Sequence, residues 1–206
     1  MKKSTFVVLF LMASFLNAQK VIKKSITATN ILYFHIDLTH CYQLLIETSK
    51  TNEMEVEAIS NGEYRKNLLL NVLEEGSNVW IRTDFQPDFK NPNDKLSAHK
   101  VISIALKIKL PEYKNVVIVG DNCNTTILGD YKNLEVTLLE GKCTLKNVSE
   151  RISVTTKSGD IKVYNNAATI EAKSKYGEVF KGNIPFGNTY YTLISATGNI
   201  YLKKTE

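Results

Sequence analysis

The chain has 206 residues, 43% of them hydrophobic and 23% charged, with 26 lysine and arginine residues against 21 aspartate and glutamate residues and a net charge of +5. Such a length and composition suit one globular domain with a substantial core, or two small ones. The positive excess is small and spread along the chain, which excludes the concentrated basic patch of a nucleic-acid-binding protein.

Residues 1–18 have the pattern of an export signal. Two lysines precede an apolar run from Phe6 to Leu16, and cleavage is expected after Ala18. The run is shorter than the roughly 20 apolar residues that a transmembrane helix needs, and no later stretch approaches that length. We therefore expect an exported protein, located in the periplasm, on the cell surface or outside the cell, with no transmembrane segment in the mature chain.

Residues 19–97 read as consecutive β-strands. The segments "CYQLLIETS", "EMEVEAIS", "NLLLNVLEE" and "NVWIRTDF" alternate apolar and polar residues and are separated by polar or glycine-containing turns. A proline-containing loop, "QPDFKNPNDKLSAHK", follows, and a long alternating strand from Val101 to Leu110 joins this half to the next. We predict a single all-β domain over 19–206, with N-terminal strands in 19–97 and a repeat in 98–206.

The repeat is anchored on four glycines. These are Gly141, Gly159, Gly177 and Gly198. The residues seven and five positions before each glycine, and two positions after it, are all apolar, and Lys181 is the one charged residue in the inward columns. Period-two alternation within a fixed longer period predicts a strand, a corner at glycine and a second strand in each unit, with inward residues stacking on the next unit. Glycine suits the corner because it takes positive φ without steric penalty.

A second geometry fits the same residues. Each unit could be an antiparallel hairpin with a tight turn at "SG", in which Thr156 faces Ile161. The near-constant period and the matching residue classes at each offset favour stacked parallel coils, because hairpins in a meander do not require them. An antiparallel β-meander or sandwich remains the alternative fold.

The stretches "VISIALKIKLPEYKNVVIVGDN", "LEVTLLEGKCTLKN", "ISVTTKSGDIKV" and "LISATGNIYLKK" resemble the bacterial putative-adhesin domains of unknown function. In that family a strand ending in Leu-Pro is followed by short β units with an "sGdi" corner. The likeness covers residues 98–204 well and residues 22–85 more loosely. It implies a right-handed parallel β-solenoid or β-helix in the C-terminal half and a bacterial source.

The sequence shows no constellation of catalytic or metal-binding residues. The three histidines lack metal-ligand spacing, and neighbours on a strand such as His40 and Cys41 point to opposite faces. A nucleophile elbow, a phosphate loop and a dinucleotide fingerprint are also missing. We therefore expect a protein that is not an enzyme and has no cofactor or bound metal.

Three cysteines remain after removal of the signal: Cys41, Cys123 and Cys143. In an oxidising compartment one pair could form a disulfide, and the repeat makes Cys123 and Cys143 the better-placed pair. Buried free thiols that pack as small hydrophobic side chains are the alternative.

The outward positions of the repeat carry aromatic rings and lysines. If the units stack in register, one strip forms from Lys162, Tyr164, Phe180, Tyr201 and Lys203. Rings offer stacking faces and ammonium groups offer hydrogen-bond donors, so we expect this strip to contact a ligand. Aromatic residues also occur on exposed strands simply because they fit a pleated surface, which is the alternative reading.

These observations rank three functions. The first is an exported, non-enzymatic β-solenoid of the putative-adhesin type that acts by surface interaction with an unidentified glycan or protein at the cell envelope. The second is a structural or regulatory envelope component. An enzyme acting on polysaccharide comes last, because no cluster of convergent polar residues emerges.

Overall fold

The structure of this protein, a computed structural model, describes residues 20–61, 68–86 and 103–205. These ranges contain strands, turns and irregular loops but no helix, so the predicted all-β class is confirmed. The predicted signal at 1–18, the predicted boundary at 97–98 and all but the first residue of the predicted loop at 86–100 lie outside them. The strands are β1 (Lys20–Thr27), β2 (Tyr33–Asp37), β3 (Cys41–Ser49), β4 (Glu53–Asn61), β5 (Leu68–Glu75), β6 (Asn78–Phe85), β7 (Ser103–Pro111), β8 (Asn115–Asn122), β9 (Asn124–Glu140), β10 (Cys143–Thr156), β11 (Ile161–Tyr164), β12 (Thr169–Ser174), β13 (Val179–Lys181), β14 (Tyr190–Ser195) and β15 (Ile200–Lys203).

All fifteen strands belong to one open, mixed sheet with two arms. The first arm runs β1-β4-β7-β3-β9-β10-β11-β15-β13. The second arm runs β5-β6-β2-β8 and continues through β9 and β10 to β14 and β12. Strands β9 and β10 are long enough to serve both arms: the first half of β9 pairs with β3, and its second half pairs with β8.

The two arms enclose one hydrophobic core. Alternation turns every second side chain of each arm inward, so that Val136 and Val154 of the second arm join Leu145 and Val163 of the first, all fully buried. Burial of each such side chain contributes about 1.5–3 kcal/mol. Outward residues are exposed or half-buried, and any binding surface must be sought among them.

Pairing within the repeat is parallel. Strand β10 pairs with β11 through Cys143 opposite Ile161, and with β14 through Ile152 opposite Tyr191. The hairpin reading of the "SG" unit is therefore wrong, because in that reading two consecutive strands would run in opposite directions. Antiparallel pairs occur among the N-terminal strands, where β4 pairs with β1 and β7, and β5 pairs with β6.

The repeat units form layers, each with one strand in either arm, but the layers do not follow chain order. The last layer, β14/β15, lies between β10/β11 and β12/β13. The expectation that consecutive units stack in sequence is wrong at this point. At the opposite end of the sheet, β6 pairs with β2 and β7 pairs with β3. Strands β6 and β7 therefore lie farther from the repeat than β2 and β3, although they come later in the chain.

The chemistry of the inward residues explains this order. The β14/β15 layer contributes Tyr191 and Leu193, both buried, whereas β12/β13 contributes Ala172, which is half-buried, and Lys181, which is exposed. An ammonium group inside the core would cost several kcal/mol. Placing β12/β13 outermost lets Lys181 reach solvent while the larger side chains fill the interior, which accounts for the charge in an inward column.

The anchor glycines of neighbouring layers lie on top of one another. Their backbones approach so closely that no side chain fits at these positions. A Cβ on Gly159 would lie 1.6 Å from the carbonyl oxygen of Gly141, and one on Gly198 would lie 2.2 Å from that of Gly159. Likewise a Cβ on Gly177 would lie 2.4 Å from the carbonyl oxygen of Gly198. Among these four only Gly141 has positive φ, at 95°. The expectation that the corners need positive φ is thus wrong for the other three, where close contact excludes a side chain.

Candidate binding surface

The predicted strip lies on the first arm, where β11, β15 and β13 are neighbours. Ile161 and Val163 of β11 are buried, so alternation turns Lys162 and Tyr164 outward. Strand β15 repeats the pattern, with Ile200 and Leu202 buried and their neighbours facing outward.

The register brings the five strip residues into two adjacent rows. Lys162 is opposite Tyr201, and Tyr201 is opposite Phe180 on its other side. In the second row Tyr164 is opposite Lys203. We call these five residues the aromatic–cationic strip.

Rings and cations of the strip are in direct contact. The Phe180 and Tyr201 rings stack with centroids 4.8 Å apart and planes 6° from parallel. The Lys162 Nζ lies 5.2 Å from the centroid of the Tyr201 ring, within range of a cation–π interaction. Phe180 is 45% exposed although it is one of the largest apolar side chains on this face. The strip is therefore a flat stacked surface with an ammonium group beside it.

The corners that lead into β11, β15 and β13 are joined by hydrogen bonds between layers. The backbone N–H of Asn199 donates to Asp160 Oδ1 over 2.9 Å, and the N–H of Glu178 donates to Asn199 Oδ1 over 2.9 Å. Asn199 Nδ2 also lies 3.3 Å from the Tyr201 hydroxyl. These bonds fix the start of each outward row and therefore the register of the strip.

No group of three or more His, Cys, Asp or Glu residues that could hold a metal ion occurs among the described residues. His40 is exposed and lies in the turn that precedes β3, Cys41 is buried at the start of β3, and His99 lies outside the described ranges. No helix in 20–61, 68–86 or 103–205 is long and apolar enough to cross a bilayer.

All three cysteines are buried and none of them forms a disulfide in the structure, including the Cys123 and Cys143 of the predicted pair. Burial raises the pKa of Cys41 to about 11, against a smaller opposing effect of its hydrogen bond with Thr83. Burial likewise raises the pKa of Cys143 to about 11 and holds that of Cys123 far above its usual range. These thiols are protonated at neutral pH, which removes the thiolate that nucleophilic chemistry requires.

A second outward surface lies on the second arm and was not expected from the sequence. Here His35 of β2 lies between Trp80 of β6 and Val117 of β8, and Trp80 is opposite Leu73 of β5. The alternation in "NVWIRTDF" already turns Trp80 and Arg82 to one face. What the sequence does not disclose is that β6 pairs with β2, a strand some forty residues earlier.

Comparison with known proteins shows the fold. Neither a protein-family model nor a curated protein matches the chain. A crystal structure of a "putative cell adhesion protein" from Clostridium sporogenes matches over 91% of this chain and 100% of its own, with 16% identity and a TM-score of 0.66. A "putative adhesin" from Bacteroides fragilis covers 90% of this chain and 97% of its own, with 12% identity and a TM-score of 0.40. The first of these two matches confirms the resemblance to bacterial putative-adhesin domains for the fold.

Proposed function

We propose that this protein is exported and acts without catalysis, by binding a glycan or a partner protein through the aromatic–cationic strip. The observation that carries the proposal is the register of β11, β15 and β13, which places Lys162, Tyr201 and Phe180 in one contiguous outward row. Isolated exposed aromatic residues need no function. A stacked ring pair beside a cation offers a flat apolar face and a hydrogen-bond donor to the same ligand.

Two further features support a binding role. The parallel layers hold the strip on a rigid sheet, so little conformational entropy is lost when a ligand binds. The fold is shared with a protein described as a "putative cell adhesion protein", which agrees with action at a surface outside the cytoplasm.

We also infer that the parallel layers wind as a right-handed solenoid. Strands that pair in parallel within one sheet are joined by right-handed crossovers in about 98% of cases. The resemblance to putative-adhesin domains implies the same hand.

The test is a double substitution in the strip. Phe180→Ser with Tyr201→Ser removes both rings, and we expect binding to the preferred target on a glycan array or to intact bacterial cells to fall at least about tenfold. The matched control replaces Tyr176 and Phe186, which are 72% and 91% exposed and lie outside the strip, with serine. Equal binding by the wild type and both double variants, at unchanged Tm, would overturn the proposal.

Export is tested separately by cell fractionation. We expect the native protein in the periplasm, on the envelope or in the medium, with an N-terminus that follows Ala18. A protein that stays in the cytoplasm with its first residues intact would contradict that part of the proposal.

A further inference from the structure

A cavity of about 690 Å³ opens on the outward face of the second arm, among β5, β6, β2 and β8. Small-molecule sites in proteins commonly have volumes of about 300–1,000 Å³. Lys24 of β1, in the first arm, also lines it. The cavity shares no strand with the aromatic–cationic strip, so the two surfaces are separate.

Aromatic and apolar side chains form the floor of this cavity. The His35 and Trp80 rings stack with centroids 3.9 Å apart and planes 14° from parallel. His35 Nε2 lies 3.2 Å from Asn78 Oδ1, which holds the imidazole beside the indole. Trp80 is 46% exposed and Leu73 is 54% exposed, so an apolar platform faces solvent.

A row of polar side chains runs beside this platform. Asp37 of β2 is opposite Arg82 of β6, and Arg82 is opposite Asn71 of β5. Within the described part of the chain, no hydrogen bond or ion pair occupies the Asn71 amide, the Arg82 guanidinium or the Trp80 indole N–H. Asp37 Oδ1, in contrast, accepts hydrogen bonds from the backbone N–H and the hydroxyl of Thr39. Several donors therefore remain for a ligand, next to a platform for stacking.

The charges that line the cavity balance. Lys24 and Arg82 supply two positive charges, and Asp37 and Glu75 supply two negative ones. A site with no net charge favours a neutral ligand, because an ion would lose its hydration without a compensating countercharge. The outward face of the first arm differs, since there Lys23 forms an ion pair with Glu57 over 3.3 Å and charged residues replace aromatic ones.

We propose that this cavity binds a neutral pyranose ring of a glycan. The face of such a ring presents C–H groups with a partial positive charge, which the negative face of the Trp80 indole attracts. Its hydroxyl groups both donate and accept, and so match the mixed set formed by the Asn71 amide, the Arg82 guanidinium and the Asp37 carboxylate. A purely apolar ligand would leave these polar groups without partners, which disfavours it.

Trp80 is the one tryptophan of the sequence, so its fluorescence reports on this cavity alone. The exported protein is titrated with methyl glucopyranoside, methyl mannopyranoside, methyl galactopyranoside and N-acetylglucosamine. We expect at least one of them to change the emission saturably with a Kd on the order of 1 mM. Sorbitol, which has the hydroxyls but no ring face, should produce no saturable change. Glucuronate should bind no more tightly than the neutral methyl glucopyranoside.

The variant Arg82→Ala keeps the fluorophore and should weaken sugar binding about tenfold, because it removes a charged hydrogen-bond donor. Its matched control is Arg151→Ala, an exposed arginine on the same arm but several strands away. Trp80→Ala, followed by calorimetry, should abolish binding, whereas Tyr42→Ala, which alters an exposed aromatic residue of the first arm, should not.

Three results would overturn this proposal: no saturable change with any neutral sugar up to on the order of 100 mM, equal binding by Arg82→Ala and Arg151→Ala at unchanged Tm, or tight binding confined to charged sugars. The strip variant with Phe180→Ser and Tyr201→Ser should bind these sugars with wild-type affinity. Failure at the cavity and failure at the strip are therefore distinguishable.

Discussion

Replacing Gly159 with alanine should destabilise the protein strongly, because the new methyl group would occupy the position of a neighbouring layer's backbone. Its Cβ would lie 1.6 Å from the carbonyl oxygen of Gly141, far inside any allowed contact. The layers must then separate locally, which stretches the flanking bonds from the Cys143 N–H to Asp160 O and from the Ile161 N–H to Asn199 O, both 2.9 Å. Overpacking costs about 1–3 kcal/mol and each weakened hydrogen bond about 1 kcal/mol, so the free energy of unfolding should fall by about 3–5 kcal/mol.

The assay is urea denaturation monitored by circular dichroism, supported by thermal melting. A loss of this size corresponds to a decrease in Tm of about 10 °C for a domain of this length. Gly76→Ala is the matched control, because Gly76 has φ of 61° but no atom within 4 Å of the added Cβ. That substitution should cost only about 1–2 kcal/mol of backbone strain. If Gly159→Ala were no more destabilising than Gly76→Ala, the close approach of layers at the corners would be refuted.

Other predictions concern buried polar groups. Tyr191→Phe should lower the free energy of unfolding by about 1–3 kcal/mol in denaturant titrations, because the hydroxyl donates to Val148 O and accepts from Asn165 Nδ2 and both partners are buried; an unchanged midpoint would contradict this. Because burial raises the pKa of Cys41 and Cys143 from 9.0 to about 11, their contribution to stability is complete below pH 9 and is lost as the pH rises towards 11. Tm measured between pH 8 and pH 11 should therefore fall, and should fall less in Cys143→Ala. Thiol titration of the unfolded, unreduced protein should count all three cysteines, whereas a count of one would show that the predicted disulfide forms after export.

Local pattern was sufficient to predict several features of this fold. Alternation around the anchor glycines predicted which residues face inward, and the column that joins Ile152, Tyr191 and Ile170 is present in the structure. The outward rows of the strip follow from the same alternation, because the side-chain period of a strand is two in any sheet. The rings and lysines of the strip were therefore identifiable without coordinates.

Pairing between distant segments was not predictable in this way. Strand β6 lies beside β2, and this places Trp80 against His35 and creates the cavity on the second arm. No local period records which strand lies next to which, since several orders would keep the same residues inward. The segment between β6 and β7 adds to this, because its residues carry no periodic sequence pattern.

The strand class, the inward and outward faces and the positions of the corners could all be inferred from the sequence, because they depend on backbone alternation and on residues close along the chain. The order of the layers, in which β14 separates β10 from β12, depends instead on contacts between distant segments. This order depends on the whole core. The layer that carries Lys181 must end the stack so that its charge remains solvated. Tyr191 must lie in a layer closer to the core, where its hydroxyl forms hydrogen bonds with Val148 O and Asn165 Nδ2. The order of the layers is therefore set by the free energy of the whole packed core and not by residues that are neighbours along the chain.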